Sequence, residues 1–283
     1  MADCDGRAIA TDGTVSYTAH SPGYADEVLE AEHIKPKFVL ANVSPVELEK
    51  LTGIKDVVPT ATKADGAQVK VNLLLKRLPK LKDETLDPVA AFGGTFHINE
   101  SYTQLQTAFE QAIKGEIPNP LPCEIYCHSL TDPTILSKEL QEQGAQTLTV
   151  FALHTPHSLL SGKSNDEMRE QLTRAVLDSL NSVLAEPIED LLMLDENGKP
   201  CIETKTTQDL QDALRLPGGN IFHGALEWPF VEDGDDLGSP AKRWGVATKQ
   251  ENLLVCGSGA RRGGAVSGIA GHNAAQAVLE MLS

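Results

Sequence analysis

The glycine-rich segment near the C-terminus constrains the fold of this chain more than any other feature. Its sequence, from residue 251, is Glu-Asn-Leu-Leu-Val-Cys-Gly-Ser-Gly-Ala-Arg-Arg-Gly-Gly-Ala-Val-Ser-Gly-Ile-Ala-Gly-His-Asn-Ala-Ala. The apolar run Leu253–Cys256 predicts a buried strand, and the apolar spacing from about Val266 predicts a helix. The glycines between them permit positive φ and close approach of another group. Such a turn directs free N–H groups and the helix dipole toward a ligand.

Two common nucleotide-binding motifs do not fit this segment. The motif Gly-x-Gly-x-x-Gly would need glycine where Arg262 stands, and too little chain follows for a ribose-binding acid about 20 residues further on. The P-loop needs Gly-Lys followed by Ser or Thr, which the segment lacks. From the residues alone, the glycines either contact a ligand or serve only tight packing of strand against helix.

Length and composition are those of a folded globular protein. At about 150 residues per domain, 283 residues allow one large domain or two ordinary ones. With 23% charged and 41% hydrophobic residues, neither a disordered chain nor a fibrous repeat fits. The formal charge of −16, without a basic cluster, argues against binding to nucleic acid or to an anionic membrane surface.

The N-terminus and the cysteines indicate the compartment. The first residues lack the basic and apolar regions of a signal peptide, and no apolar run approaches the roughly 18 residues that span a bilayer. The five cysteines are scattered and odd in number, which is typical of a reducing environment. We therefore expect a cytoplasmic protein without a transmembrane segment.

Periodicity elsewhere predicts an α+β fold. Strands are predicted near 37–42, 67–75, 123–127 and 147–153, and helices after Ser44, Ser101, Ser164 and Thr206. The helix after Ser164 has an apolar stripe at Met168, Leu172, Val176, Leu180 and Val183, so it must pack on a sheet. We expect a mostly antiparallel or mixed sheet covered on one side by the helices that start near Ser101 and Ser164, beside a partial sheet.

The segment Leu253–Ala275, together with Leu216-Pro-Gly-Gly-Asn-Ile-Phe-His-Gly224, resembles the C-terminal signature of the phytoene dehydrogenase-related, carotenoid-desaturase-like FAD-dependent oxidoreductases. In that family the block at 216–224 leads out of the substrate domain, and the glycine-rich block returns the chain to the flavin. Weaker similarity through Asp132-Pro-Thr, the strand before Pro156 and Val39–Pro45 extends the resemblance over nearly the whole chain.

The resemblance implies FAD as cofactor and assigns residues to it. Those along the ribityl or pyrophosphate region would be Gly257, Ser258 and Gly259. Those along the isoalloxazine edge would be Gly263, Gly264, Ala265, Val266 and Ser267. The sequence departs from the family at Arg262, where proline is usual, at Ala265, where a third glycine is usual, and at His272, where arginine is common.

The family's N-terminal strand, Gly-x-Gly-x-x-Gly turn and helix, which hold the ADP half of FAD, have no counterpart through Leu75. The resemblance therefore predicts a truncated or split member. Its domains would be a partial FAD-domain segment (1–51), a substrate-domain-like region (52–245) and a strand, glycine loop and helix returning to the FAD/NAD(P)-binding domain (246–283). We expect such a chain to hold FAD weakly or not at all alone, and to need a complementing nucleotide-binding chain or a missing upstream segment that provides the ADP-binding unit. Strand edges left exposed would be covered by self-association into a homo-oligomer or by a partner.

Three histidines are candidates for a pocket that takes an apolar small-molecule substrate. His154 and His157 follow a predicted strand at the place of the family's substrate cavity, and His223 lies in the Ile-Phe-His-Gly block. Structural roles are the alternative for each. No general acid or base can be assigned, and no Gly-x-Ser-x-Gly elbow supports hydrolase chemistry.

The remaining signals are weaker. Cys123, Cys127 and His128 have no second ligand pair at the spacing of a zinc site, so we predict buried thiols and no metal. His97 is expected to serve packing. Trp228 and Trp244 mark either an apolar surface or the core.

Two functional hypotheses follow from the sequence. The chain is either the substrate-domain portion of an FAD-dependent oxidoreductase or a noncatalytic binding or assembly module that kept the fold and lost the cofactor.

Overall fold

The computed structural model describes residues 8–10, 14–20, 28–59, 65–226, 228, 230–261 and 267–283. The chain divides into two compact units. The central unit is the continuous segment Asp65–Leu214, and the split unit combines Met1–Ala64 with Arg215–Ser283.

The described secondary structure consists of strands of two to eight residues and helices of four to 19 residues. The strands are β1 (Ala8–Ile9), β2 (Val15–His20), β3 (Val28–Ile34), β4 (Val39–Ala41), β5 (Gln68–Leu75), β6 (Thr95–Ile98), β7 (Cys123–Tyr126), β8 (Gln146–Leu153), β9 (Ile202–Lys205) and β10 (Leu253–Val255). The helices are α1 (Pro45–Thr52), α2 (Pro88–Phe92), α3 (Tyr102–Ile113), α4 (His128–Thr131), α5 (Lys138–Glu142), α6 (Asn165–Val183), α7 (Thr207–Leu214), α8 (Pro240–Arg243) and α9 (Ile269–Leu282).

The central unit is built on a five-stranded antiparallel sheet of order β6-β7-β8-β5-β9. Strand β5 alternates strictly between partly buried and buried residues, so one face of the sheet is apolar and the other is polar. Helix α6 packs on the apolar face against β5, β6 and β9. The core residues of this contact are Val69, Val71, Leu73 and Leu75 from β5 and Met168, Leu172, Val176 and Leu180 from α6. Each such buried side chain stabilises the unit by about 1.5–3 kcal/mol relative to exposure.

The split unit contains two smaller sheets. Strands β1, β2 and β3 form an antiparallel sheet, and β4 pairs in parallel with β10 in the register Val39↔Leu253. Helices α1 and α9 contribute Leu48, Ala274 and Ala277 to a second core around β10. A parallel pair needs a long connection between its strands, and here the connection includes the entire central unit.

The structure confirms the α+β class and most of the predicted elements. Ser44 caps α1 as expected, since its hydroxyl accepts a hydrogen bond from the Glu47 N–H at 3.2 Å. Helix α3 also forms, and it buries Ala108 and Ala112 while Phe109 and Ile113 are about half exposed or more. The domain names assigned to 1–51, 52–245 and 246–283 stay predictions. Within the part of the chain that is described, no helix combines the length and apolar character needed to cross a bilayer.

Candidate functional site

The parallel pair β4–β10 brings two turns to one edge of the split unit. Because parallel strands run in the same direction, their carboxyl ends lie side by side, and each is followed by a turn. The turn after β4 leads through Asn42 into α1, and the turn after β10 begins with Gly257. The Cys256 N–H donates to the Ala41 carbonyl at 3.0 Å, so the pairing continues to the start of both turns.

Gly257 and Gly259 allow the two turns to pack closely. A Cβ at position 257 would lie 2.0 Å from Asn42 Oδ1, and one at position 259 would lie 2.5 Å from Pro45 Cδ. Both distances are far below a van der Waals contact, so a larger residue must displace the Asn42 side chain at position 257 or the Pro45 ring at position 259. The space that these glycines leave is therefore filled by the chain's own atoms.

The first turn of α9 lies beside the end of β10. A Cβ at Gly271 would lie 3.7 Å from the Cys256 carbonyl oxygen, an ordinary contact distance. Gly268, at φ 72°, precedes the helix, and the Ser267 hydroxyl accepts a hydrogen bond from the Ile269 N–H at 3.3 Å. One of the unpaired N–H groups at the start of α9 is thus satisfied within the chain.

The predicted cofactor-binding residues are only partly described. Gly263, Gly264, Ala265 and Val266 lie outside the described residues. Ser258 is partly buried in the turn, and Ser267 is exposed. Contact of any of the eight with FAD stays a prediction.

The glycine turn ends in an ion-pair network. Arg261 places Nη1 at 2.5 Å from Asp235 Oδ1 and Nη2 at 3.6 Å from Glu232 Oε2. The Arg261 N–H also donates to the Gly245 carbonyl at 3.1 Å. The guanidinium therefore pairs with carboxylates of the acidic loop that the sequence shows at 232–236.

His223 presents a buried nitrogen in the Leu216–Gly224 block. Asn220 organises this loop, because its side chain accepts from the Phe222 N–H at 2.8 Å and donates to the Gly224 carbonyl at 3.1 Å. His223 adopts φ 65°, and its Nδ1 is buried with no hydrogen-bond partner among the described residues. Burial lowers the pKa of His223, which favours the neutral imidazole.

The other two predicted pocket histidines belong to the central unit. His157 Nδ1 lies 3.0 Å from Thr207 Oγ1, which gives this side chain a structural partner. His154, at φ 60°, contacts the edge of Phe109 with ring centroids 6.0 Å apart. Burial lowers the pKa of His154, and the Glu100 charge opposes that shift. Their role in a substrate pocket stays a prediction.

Two cysteines, Cys123 and Cys127, were considered above as zinc ligands, and both are buried. Cys123 is fully buried and Cys127 nearly so. Burial, together with the nearby Glu100 charge, raises the pKa of Cys123 to about 12, so its thiol is protonated. Protonated, buried thiols are poor metal ligands.

Sequence reasoning missed a cluster on the polar face of the central sheet. His97, expected to serve packing, has a side chain that is 48% exposed and lies next to Glu100 and Glu124. The spacing of His97 and Glu100 is visible in the sequence. Glu124 joins them only through the pairing of β6 with β7.

The two tryptophans have different surroundings. Trp244 packs against the second core and donates from Nε1 to Glu280 Oε1 at 2.9 Å. Trp228 is 61% exposed and makes an edge contact with Phe230 at a centroid distance of 5.3 Å.

Comparison with known proteins links the chain to oxidoreductase-domain proteins. No family model matches it. The chain is 57% identical over 277 residues to an uncharacterized protein of Mycobacterium tuberculosis, covering 98% of this chain and 50% of that protein. It is 30% identical over 302 residues to a mouse protein named pyridine nucleotide-disulfide oxidoreductase domain-containing protein 2, covering 98% of this chain and 48% of the mouse protein. The rat protein of the same name is 30% identical over 306 residues, covering 99% of this chain and 48% of that protein. The chain thus spans about half the length of the curated relatives it matches.

Proposed function

We propose that this chain is the substrate-domain-containing portion of an FAD-dependent oxidoreductase of the phytoene-dehydrogenase-like type. The observation that carries the proposal is the similarity of 98% of the chain to about half of the mouse protein, whose name includes an oxidoreductase domain. The division of the split unit between both ends of the chain supports it, because the family resemblance implies a substrate domain between two returning segments.

The turns at the carboxyl ends of β4 and β10 are the proposed cofactor edge. In open α/β sheets, ligands bind outside the carboxyl ends of parallel strands. Gly257 and Gly259 close onto Asn42 and Pro45, so they hold the two turns together at this edge. Bound FAD would supply the acceptor for a hydride.

His223 is the described residue that best fits a ligand contact in the split unit. A neutral imidazole with a buried, unpartnered Nδ1 gains a hydrogen bond when a polar ligand atom reaches it. In the proposed site His223 orients the cofactor or the substrate.

The dinucleotide's ADP half would need groups beyond those of this chain. The 283 residues contain no Gly-x-Gly-x-x-Gly motif, and Arg261 already pairs with Asp235. We propose that the chain alone binds FAD weakly and that a complementing polypeptide, related to the other half of the M. tuberculosis protein, completes the site.

A flavin titration tests this proposal. FAD fluorescence would be followed on adding the chain alone, and then the chain mixed with the half of the M. tuberculosis relative that the chain does not match. We expect binding at least about tenfold tighter in the mixture, since phosphate and ribose contacts dominate dinucleotide affinity. His223→Asn, which tolerates the left-handed backbone, should weaken binding in the mixture, whereas the exposed His33→Asn should not.

One observation favours the second candidate, a noncatalytic assembly module. Four apolar residues in the segment after His223 are each more than half exposed: Leu226, Trp228, Phe230 and Val231. Exposed apolar groups of this kind are typical of association surfaces. If neither preparation binds FAD and light scattering shows a dimer that Trp228→Ser dissociates, the oxidoreductase proposal is wrong and the assembly module is supported.

A further inference from the structure

The polar face of the central sheet holds a cluster of metal-ligating side chains. His97 on β6 lies directly opposite Glu124 on β7, and Glu100 follows β6 before α3 begins. Opposite residues on antiparallel strands have Cβ atoms about 4.5–5.5 Å apart. One ligand atom from each of the three side chains lies within 4.8 Å of the other two.

The hydrogen bonds within the cluster leave a buried carboxylate oxygen without a partner among the described residues. His97 Nδ1 lies 2.5 Å from Glu100 Oε2, and the Tyr126 hydroxyl donates to Glu124 Oε2 at 3.1 Å. Glu100 Oε1 is buried and has no hydrogen-bond partner among the described residues. A buried carboxylate oxygen without a partner is costly, so this atom favours a ligand that donates or carries positive charge.

The charge of the cluster also favours a cation. Two carboxylates face one imidazole, so even a protonated His97 would leave net negative charge.

We propose that His97, Glu100 and Glu124 bind a divalent transition-metal ion. One imidazole nitrogen and two carboxylate oxygens form a donor set that suits Zn²⁺ or Mn²⁺. The Tyr126 hydroxyl orients Glu124 from outside the coordination shell. Three protein ligands on a half-exposed face leave a coordination position open to water or to a ligand.

Direct metal binding to the full chain tests the site. After treatment with a chelator, Mn²⁺ binding is followed by electron paramagnetic resonance and Zn²⁺ binding by calorimetry. Mn²⁺ is included because thiols bind it poorly, so the five cysteines do not compete. We expect one Mn²⁺ per chain, and Glu124→Gln and His97→Gln should each lower the affinity at least about tenfold.

Matched control variants distinguish metal binding at this site from weak attraction of the ion to surface charge elsewhere. Glu110→Gln on α3 and His33→Gln on β3 remove the same chemical groups from exposed positions and should leave the affinity unchanged. If Glu124→Gln disturbs folding, Tyr126→Phe provides the comparison, because it removes one hydroxyl and should still weaken binding about tenfold. Wild-type affinity in His97→Gln and Tyr126→Phe, or no binding of either metal at millimolar concentration, would overturn the proposal. None of these measurements involves FAD, so their failure is distinct from failure of the proposed function.

Discussion

At the residue scale, the glycine turn shows how the absence of a single Cβ decides local packing. Gly259 faces Pro45, the first residue of α1, whose ring cannot rotate away. Gly257 faces the side chain of Asn42, which is exposed and can move. Position 257 should therefore tolerate an added Cβ better than position 259, although neither has free space for one.

We predict that Gly259→Ala destabilises the chain by about 1–3 kcal/mol, because the added Cβ overpacks a rigid contact. Gly257→Ala should also destabilise the chain. The double variant with Asn42→Ala should recover much of the lost stability, because it removes the atom that clashes with the new Cβ. Urea unfolding measures each change. Gly94→Ala is the control, since a Cβ there meets nothing within 4 Å. Equal stability of the Gly259 and Gly94 variants would contradict the packing explanation.

At the element scale, an ion pair links the end of β5 to the connection after α6. Arg77 donates from Nη1 and Nη2 to both carboxylate oxygens of Glu186, at 2.7 and 2.6 Å. The hydrogen bond from Arg77 is the main cause that lowers the pKa of Glu186 from 4.5 to about 2. A carboxyl group with a lowered pKa stabilises the fold above its unfolded pKa and loses that contribution as the pH falls through the folded pKa.

The predicted consequence is a pH-dependent effect of Arg77→Gln. At pH 7 the variant should be less stable by about 0.5–1 kcal/mol, because the Arg77 side chain is about half exposed and solvent screens the pair. The difference should shrink as the pH falls from 4.5 toward 2. Urea unfolding at pH 7, 5 and 3 measures it. Lys50→Gln, in a pair whose lysine is more exposed, should change stability less. A difference that stays constant down to pH 3 would exclude the ion pair as its source.

At the scale of the whole molecule, the two units differ in how the chain forms them. The central unit is continuous and has its own core between the five-stranded sheet and α6. The split unit needs both ends of the chain, because β10 pairs with β4 and Leu48 of α1 shares a core with Ala274 of α9.

We therefore predict that the segment Asp65–Leu214 folds alone. It should show cooperative urea unfolding and dispersed amide resonances, as expected for a unit with a complete core. The segment Arg215–Ser283 alone should stay unfolded, since its strand β10 would lack the partner strand. A central segment that binds hydrophobic dye and unfolds without cooperativity would show that its core depends on the rest of the chain.

How much of the site could be predicted depends on how far apart in the sequence the interacting residues lie. The strand before Gly257 and the helix after Gly268 were visible as local patterns. The contacts of Gly257 with Asn42 and of His97 with Glu124 were not, because each joins segments whose pairing no local pattern reveals.

By itself, the sequence determined the elements whose causes lie within a few residues: the alternation that forms β5, the Ser44 cap of α1 and the apolar stripe of α6. Hydrophobic periodicity and capping act locally, so they can be recognised before the fold is known. The parallel pairing of β4 with β10 and the place of Glu124 beside His97 became visible only in the folded chain. Strand pairing and register depend on which distant surfaces are buried together, and that is a property of the whole packed unit.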